Sequence, residues 1–336
     1  MNQLGDAKRL RAVATLVVVR DDLGSFREER SHARRADAAG RTGHKHPLAT
    51  QTGVHGRQTT PMRVHIISDM EGVAGIVRPE QTAAGEDLYE EGRKLYTEEI
   101  NAAVRGAKKA GANAIVVMDH HGAGKAFSFN SLVPELLDPA CEYVIQASWT
   151  EYTGFLEEGC DACLLVGMHA KAGTPDGVLS HTVHGREWRS LRFNGVPVGE
   201  TAINAALCGT WNCPVLLVTG DEATCREATS LLGDGLTTVA VKRGIARNSA
   251  RSLTPQGARE VIEEGAREAL KTLDAVAPYD PGRPAEIAVD FMTPSEVIKY
   301  QGRRGVEVTG SESVVSRADD WWTAWRQLFL QPRLAS

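Results

Sequence analysis

The sequence predicts an α/β fold: a central, largely parallel sheet with flanking helices, followed by a second, smaller α/β domain. Three observations carry this expectation. From Met62 onward, short apolar runs of strand length alternate with segments of helical period. Polar clusters recur where those runs end, which is where open α/β sheets collect ligands. The last third then changes to turn-rich links, short strands and a terminal amphipathic segment.

The elements follow in order. Val64–Ser68 is an apolar strand, and Leu88–Ala110 a helix with Tyr89, Leu95, Tyr96, Ile100 and Val104 near helical spacing. Gly111 stops that helix, and Ala114–Met118 is the next buried strand. Tyr143–Ala147 and Cys163–Gly167 read as the third and fourth. Leu191–Phe193 and Val196–Val198 flank Asn194-Gly195, a pair that favours a tight hairpin turn. A helix from Glu200 to about Leu207 leads to strands Pro214–Thr219 and Thr237–Val241. Thr254 and Pro255 open a helix reaching about Leu273, as cap and first-turn residue. Beyond it lie a strand at Ala285–Phe291, a short helix at Pro294–Tyr300, strands near Val306–Thr309 and Ser313–Ser316, and a terminal helix over Ala318–Leu330. Its Trp321, Trp322 and Trp325 read as a core or subunit-contact surface. The expected division is a basic, poorly ordered leader over 1–61, a metal-binding α/β domain over 62–210 and a smaller C-terminal α/β domain over 211–336.

Composition bounds the function. Apolar and charged fractions of 42% and 24% are those of a globular chain with a sizeable core. The formal charge of -5 is uneven: residues 1–61 carry 11 Lys/Arg against 6 Asp/Glu, and the remainder 27 against 37. An acidic body argues against nucleic acid as a partner. No run approaches a membrane span, no long apolar signal core opens the chain, and six cysteines are too sparse for a disulfide scaffold. A cytoplasmic protein without a membrane partner is expected.

The stretch that organises the chemistry is Val64-His-Ile-Ile-Ser-Asp-Met-Glu-Gly-Val-Ala-Gly75, a strand that stops at two carboxylates. Asp69 and Glu71, two apart, point to the same side of an extended backbone. Carboxylates at the end of a buried strand are costly without a positive partner, and a divalent ion is the usual one. His120, His121, His169 and His181 lie in two loops that follow strands, and Glu200 follows the hairpin. A lone histidine is more often a satisfied surface or core group; their shared position at strand exits makes metal binding an equal alternative. Imidazole with carboxylate suits zinc, manganese or cobalt, and two acids with two histidines leave room for two ions sharing one acid. Cys160-x-x-Cys163 lacks a second pair and reads as packing. A phosphate loop, a dinucleotide fingerprint and Gly-x-Ser-x-Gly are all absent.

Taken together and in order, Ser68-Asp-Met-Glu-Gly72, Asp119-His-His-Gly122, Gly167-Met-His-Ala170, Gly177-Val-Leu-Ser-His181 and Asn194-Gly-Val-Pro-Val-Gly-Glu200 resemble the D-aminopeptidase family of zinc metallopeptidases. The resemblance runs from about Met62 almost to the C-terminus. It implies an α/β domain followed by a smaller one, a ring-shaped homo-decamer with its sites facing an internal chamber, and release of N-terminal D-residues from short peptides such as D-Ala-D-Ala. By the same resemblance, Asp69 bridges two zinc ions, Glu71 and His121 complete one, His169 and Glu200 complete the other, and His181 is the catalytic histidine. Asn204, a turn beyond Glu200, is placed to support that ligand or to pack. Two departures bear on the substrate pocket: His120 stands where the pattern has a small residue, and Asp176 is an added residue between His169 and His181. The alternatives are a binuclear metal-dependent amidohydrolase acting on another small amide or an L-peptide, and a non-catalytic metal-binding protein, which would not need His181.

Overall fold

A computed structural model describes residues 61–146 and 153–329. The leader, up to residue 60, lies outside the described residues, as do the end of the expected third strand and the last residue of the expected terminal helix. Strand β1 (Met62–Ser68) is followed by helix α1 (Tyr89–Lys109) and strand β2 (Ala112–Asp119). Glu90 and Glu91 in the first turn of α1, with Lys108 and Lys109 in its last, complement the helix dipole. Gly111 ends the turn at φ +100°, a conformation that favours glycine. Next come β3 (Glu142–Tyr143), a one-turn helix α2 (Gly154–Glu157) and β4 (Ala162–Met168).

The hairpin forms as expected from β5 (Trp188–Phe193) and β6 (Val196–Pro197), with Asn194 and Gly195 both at positive φ. Helix α3 (Glu200–Thr210), strand β7 (Val215–Asp221), helix α4 (Glu222–Leu232) and strands β8 (Thr237–Ala246) and β9 (Ser249–Ser252) follow. Helix α5 (Pro255–Ala269) starts where Thr254 accepts a hydrogen bond from the Gly257 amide. Strand β10 (Ala285–Phe291), helix α6 (Pro294–Val297), strands β11 (Val306–Gly310) and β12 (Ser313–Ala318) and helix α7 (Trp321–Phe329) complete the fold. Helix α4 and strand β9 are additions to the elements read from the sequence.

Two sheets result. The larger has the order β3-β2-β1-β4-β7-β8-β9 and is parallel except for the β8–β9 hairpin at its edge. Helices α1 and α5 pack on each other and on its strands, while α3 and α4 make the second layer. The smaller sheet, β11-β12-β10-β5-β6, is antiparallel throughout and covered by α7. The expected boundary at residue 210 falls between α3 and β7. Strands from either side of it enter both sheets: β7 and β8 join the larger one, and β5 and β6 the smaller. Two of the three tryptophans of α7 are core, and Trp322 is half-buried against it. Trp321 and Trp325 are buried and stack at 5.4 Å, and Trp321 meets Phe193 of β5 edge-on. Among the described residues no helix is long and apolar enough to cross a membrane.

The register places the chemistry. Ser68 pairs with Asp119 on one side and Val166 on the other, so β1, β2 and β4 end together. Asp69, His121 and His169 therefore leave the sheet at one edge. The strand order also reverses there, with β2 to one side of β1 and β4 to the other, which opens a crevice at the strand ends.

Candidate metal centre

Two clusters of ligating atoms occupy that crevice: Asp69, Glu71 and His121, and His169, His181 and Glu200. All six residues expected from the sequence are thus brought together. Glycine permits it. A side chain at Gly72 would stand 2.0 Å from the Met168 carbonyl oxygen, and one at Gly167 2.1 Å from that of Asp69. The turn after β1 and the end of β4 touch backbone to backbone, tied by Asp69 N–H to the Val166 carbonyl and Gly72 N–H to the Gly167 carbonyl, both 2.8 Å.

The histidines are oriented by their outer nitrogens. His121 Nε2 lies 2.7 Å from the Thr82 carbonyl, His169 Nδ1 3.0 Å from that of Ala170, and His181 Nδ1 2.9 Å from that of Leu179. A carbonyl only accepts, so each of these nitrogens carries the proton and donates. The inner nitrogens then face carboxylates. His121 Nδ1 is 3.1 Å from both Asp69 Oδ1 and Glu71 Oε2, and His169 Nε2 is 3.3 Å from Asp69 Oδ2 and 3.2 Å from Glu200 Oε1. Neither Glu71 Oε2 nor His169 Nε2 has a hydrogen-bond partner, although both are buried. Lone pairs converging in this way call for a cation, and mixed imidazole–carboxylate donors fit a divalent ion of the zinc class.

The charges agree. Burial opposes ionisation of Asp69, yet the imidazoles of His121 and His169 beside it win and hold its carboxyl well below the usual range. Burial likewise opposes charge on both histidines, but the neighbouring carboxylates, Glu71 for His121 and Glu200 for His169, raise them well above an ordinary imidazole. His181 is more open than His169; their rings stack at 4.0 Å, and His181 Nε2 is 3.7 Å from Glu200 Oε1.

Supporting groups lie behind the ligands. Asp119 accepts from the His121 amide and from Tyr96 Oη, both at 2.8 Å, and Tyr96 Oη meets Ser68 Oγ at 2.6 Å. Glu200 Oε1 accepts from the Val183 amide at 2.7 Å, tying its carboxylate to the loop that holds His181. Asn204 bonds His120 Nδ1 at 2.8 Å, so its side chain serves that half-buried histidine, not Glu200. Asp176 pairs with Arg226 at 2.5 Å.

Lys242 was not legible as part of this region. Its buried ammonium donates to the carbonyls of Glu71 (2.5 Å), Val73 (2.8 Å) and Ile76 (2.6 Å), so it pins the turn that carries the first cluster. A lysine inside the apolar strand Val239-Ala-Val-Lys242 is the sequence signal that could have flagged it. Cys160 and Cys163 do gain neighbours, since the fold sets Cys208 and Cys213 beside them. The Cys213 thiol and burial push Cys160 up, burial together with the Cys213 and Cys160 thiols pushes Cys163 up, and no three of these sulfurs converge on a common point. They pack.

Comparison with known proteins decides the family. The D-aminopeptidase family profile matches residues 62–330, from β1 to the end of α7. The chain belongs to the D-aminopeptidase family. A D-aminopeptidase of Bacillus subtilis (strain 168) is 31% identical over 280 residues, covering 82% of this chain and 98% of that protein. Among solved structures, the chain is similar to the Zn-dependent D-aminopeptidase DppA from Bacillus subtilis, described as a self-compartmentalizing protease. The TM-score is 0.72 at 30% identity, over 80% of this chain and 95% of that one. The mixed α/β architecture and the aminopeptidase class expected from the sequence both stand.

Proposed function

We propose that this D-aminopeptidase is a binuclear zinc enzyme that hydrolyses the N-terminal peptide bond of short peptides carrying D-residues, such as D-Ala-D-Ala. Asp69, Glu71 and His121 would hold one ion, and His169 and Glu200 the other, with Asp69 shared. The observation that carries this reading is the division of Asp69 itself: Oδ1 faces His121 and Oδ2 faces His169. Bound zinc acidifies water and polarises an amide carbonyl.

The chain's own groups supply the rest. His181, with Nδ1–H held on the Leu179 carbonyl, keeps Nε2 free to take a proton from the attacking water and return it to the leaving amine. The hydrogen bond from the Val183 amide fixes Glu200 against that loop, which sets the separation of proton acceptor and ligand. The acidic side chains of the site suit a substrate that enters amine first. Six unbridged cysteines suit a reducing, cytoplasmic setting. Self-compartmentalisation in DppA supports a closed homo-oligomer here, a decamer, whose chamber admits short peptides and excludes folded chains.

One further reading has an observation behind it: His181 lies within ligand range of His169 and Glu200 and would then complete the second ion's shell. Turnover of paired D- and L-dipeptides, measured with bound metal for wild type and His181→Ala, separates the two. A proton-transfer role predicts retained metal and a loss of roughly 10²–10⁴-fold in turnover. Activity lost together with metal assigns His181 as a ligand, and unchanged activity removes it from the mechanism.

A further inference from the structure

The active-site region described so far is dominated by carboxylates, yet a free dipeptide has a negative end as well as a positive one. Its own carboxylate stands one residue, about 3.8 Å in Cα spacing, beyond the bond to be cut. Two divalent ions would offset the charge of the acids that hold them, so what the far end of the substrate needs is a directional donor pair.

Arg247, at the tip of the β8–β9 hairpin, lies beside the loop that carries His181. Its carbonyl accepts from the Leu179 amide at 2.8 Å, and its Nη1 donates to the Ser180 carbonyl, so it is fastened on both counts to the residues just before His181. Gly185 separates the guanidinium from the imidazole. A β-carbon built there would lie 3.5 Å from His181 Cβ and 3.8 Å from Arg247 Nη2. The residue is exposed, and among the described residues no carboxylate pairs with it. One edge of the fork is spent on Ser180, while among the described residues the Nε–Nη2 edge has no partner. That edge presents two parallel N–H groups, the geometry that matches a carboxylate.

We propose that Arg247 is a specificity residue that receives the C-terminal carboxylate of a dipeptide on its Nε–Nη2 edge while Nη1 stays on the Ser180 carbonyl. The inference rests on the aminopeptidase reading above and deepens it by naming what recognises the far end of the substrate. It makes the enzyme a reader of chain length, since each added residue carries the carboxylate about 3.5 Å further from the fork.

The test compares D-Ala-D-Ala with its C-terminal amide in the full-length, metal-loaded protein, for wild type, Arg247→Gln and Arg247→Lys. Metal content and circular dichroism serve as folding checks. The ratio of kcat/KM for the free acid over the amide should fall about 10- to 100-fold in Arg247→Gln, carried mainly by KM, with Arg247→Lys between. A ratio that stays at the wild-type value overturns the proposal. If both substrates lose activity in proportion, Arg247 only positions the His181 loop through Ser180. Should wild type cleave neither substrate, the functional reading fails by itself. Calorimetric binding of the same two compounds to wild type and Arg247→Gln then decides the assignment: an affinity loss confined to the free acid supports it, and equal affinities overturn it.

Discussion

Replacing Lys242 with methionine removes one ammonium and leaves most of the aliphatic stem in place. The loss falls on the turn after β1, where that ammonium reaches the Glu71, Val73 and Ile76 carbonyls at 2.5, 2.8 and 2.6 Å. Hydrogen bonds from a charged donor contribute roughly 1.5–3 kcal/mol each, so three of them set a gross loss of about 5–9 kcal/mol. Against it stands the relief of no longer burying a charge. Burial presses the Lys242 ammonium down to about 8 from its ordinary 10.5, a cost of about 3 kcal/mol. The net expectation is a destabilisation of about 2–6 kcal/mol. Glu71 and its neighbours would also lose their anchor, so metal affinity at the first cluster should drop about 10- to 100-fold, as it does when outer-shell partners of ligands are removed. Urea denaturation of metal-free protein reads the first quantity, and competition with a chelating dye reads the second. A variant within about 0.5 kcal/mol of wild type that binds metal normally would refute the idea that Lys242 holds the turn.

Two more predictions concern neighbours of that lysine. Asp69→Asn should lower occupancy at both positions, from about two ions per chain to fewer than about one, whereas Glu71→Gln should affect one position; elemental analysis finding a single position disturbed by Asp69→Asn would remove the bridge. Glu99, whose Oε1 accepts from the Ala74 amide at 2.8 Å, is pushed by burial up to about 7 from 4.5. A carboxyl raised in the folded state contributes stability that is full below pH 4.5 and lost as pH rises through about 7, so wild type should shed up to about 3 kcal/mol across that window while Glu99→Gln does not. Parallel pH profiles for the two proteins would contradict this.

The parts of the fold that local chemistry dictates were legible. Apolar runs gave β1, β2, β4 and β7, the helix-ending glycine gave the end of α1, Asn194-Gly195 gave the hairpin, and the Thr254-Pro255 cap gave the start of α5. Helix α4 was not. Its sequence, Glu222-Ala-Thr-Cys-Arg-Glu-Ala-Thr-Ser-Leu-Leu, is made mostly of good helix formers, so propensity did not hide it. Its one clear sign, Asp221 accepting from the Thr224 amide as N-cap, was absorbed into the reading of a strand end. Sheet membership was hidden for a different reason: β5 pairs with β10 across about a hundred residues, and no periodicity records a partner that distant. In the candidate site, strand exits drew attention to the acids and histidines that the fold brings together, and the resemblance supplied their proposed roles. Lys242 and Arg247 were not, because their roles depend on backbone carbonyls that the fold alone brings to them.

The route of the chain through its two sheets has a mechanical meaning. After β4 it leaves the larger sheet, builds β5 and β6 in the smaller one, and comes back at α3. His169 stands where this excursion departs and Glu200 where it returns, their side chains 3.2 Å apart. An ion gripped by both would act as a clasp on a closed loop, removing chain entropy from the unfolded protein much as a covalent cross-link does. The catalytic metal would then also be the fastener that locks the smaller sheet to the larger. Cutting the backbone at the exposed Asn194–Gly195 tip would leave two pieces still joined through both sheets, and the metal would add one more tie between them.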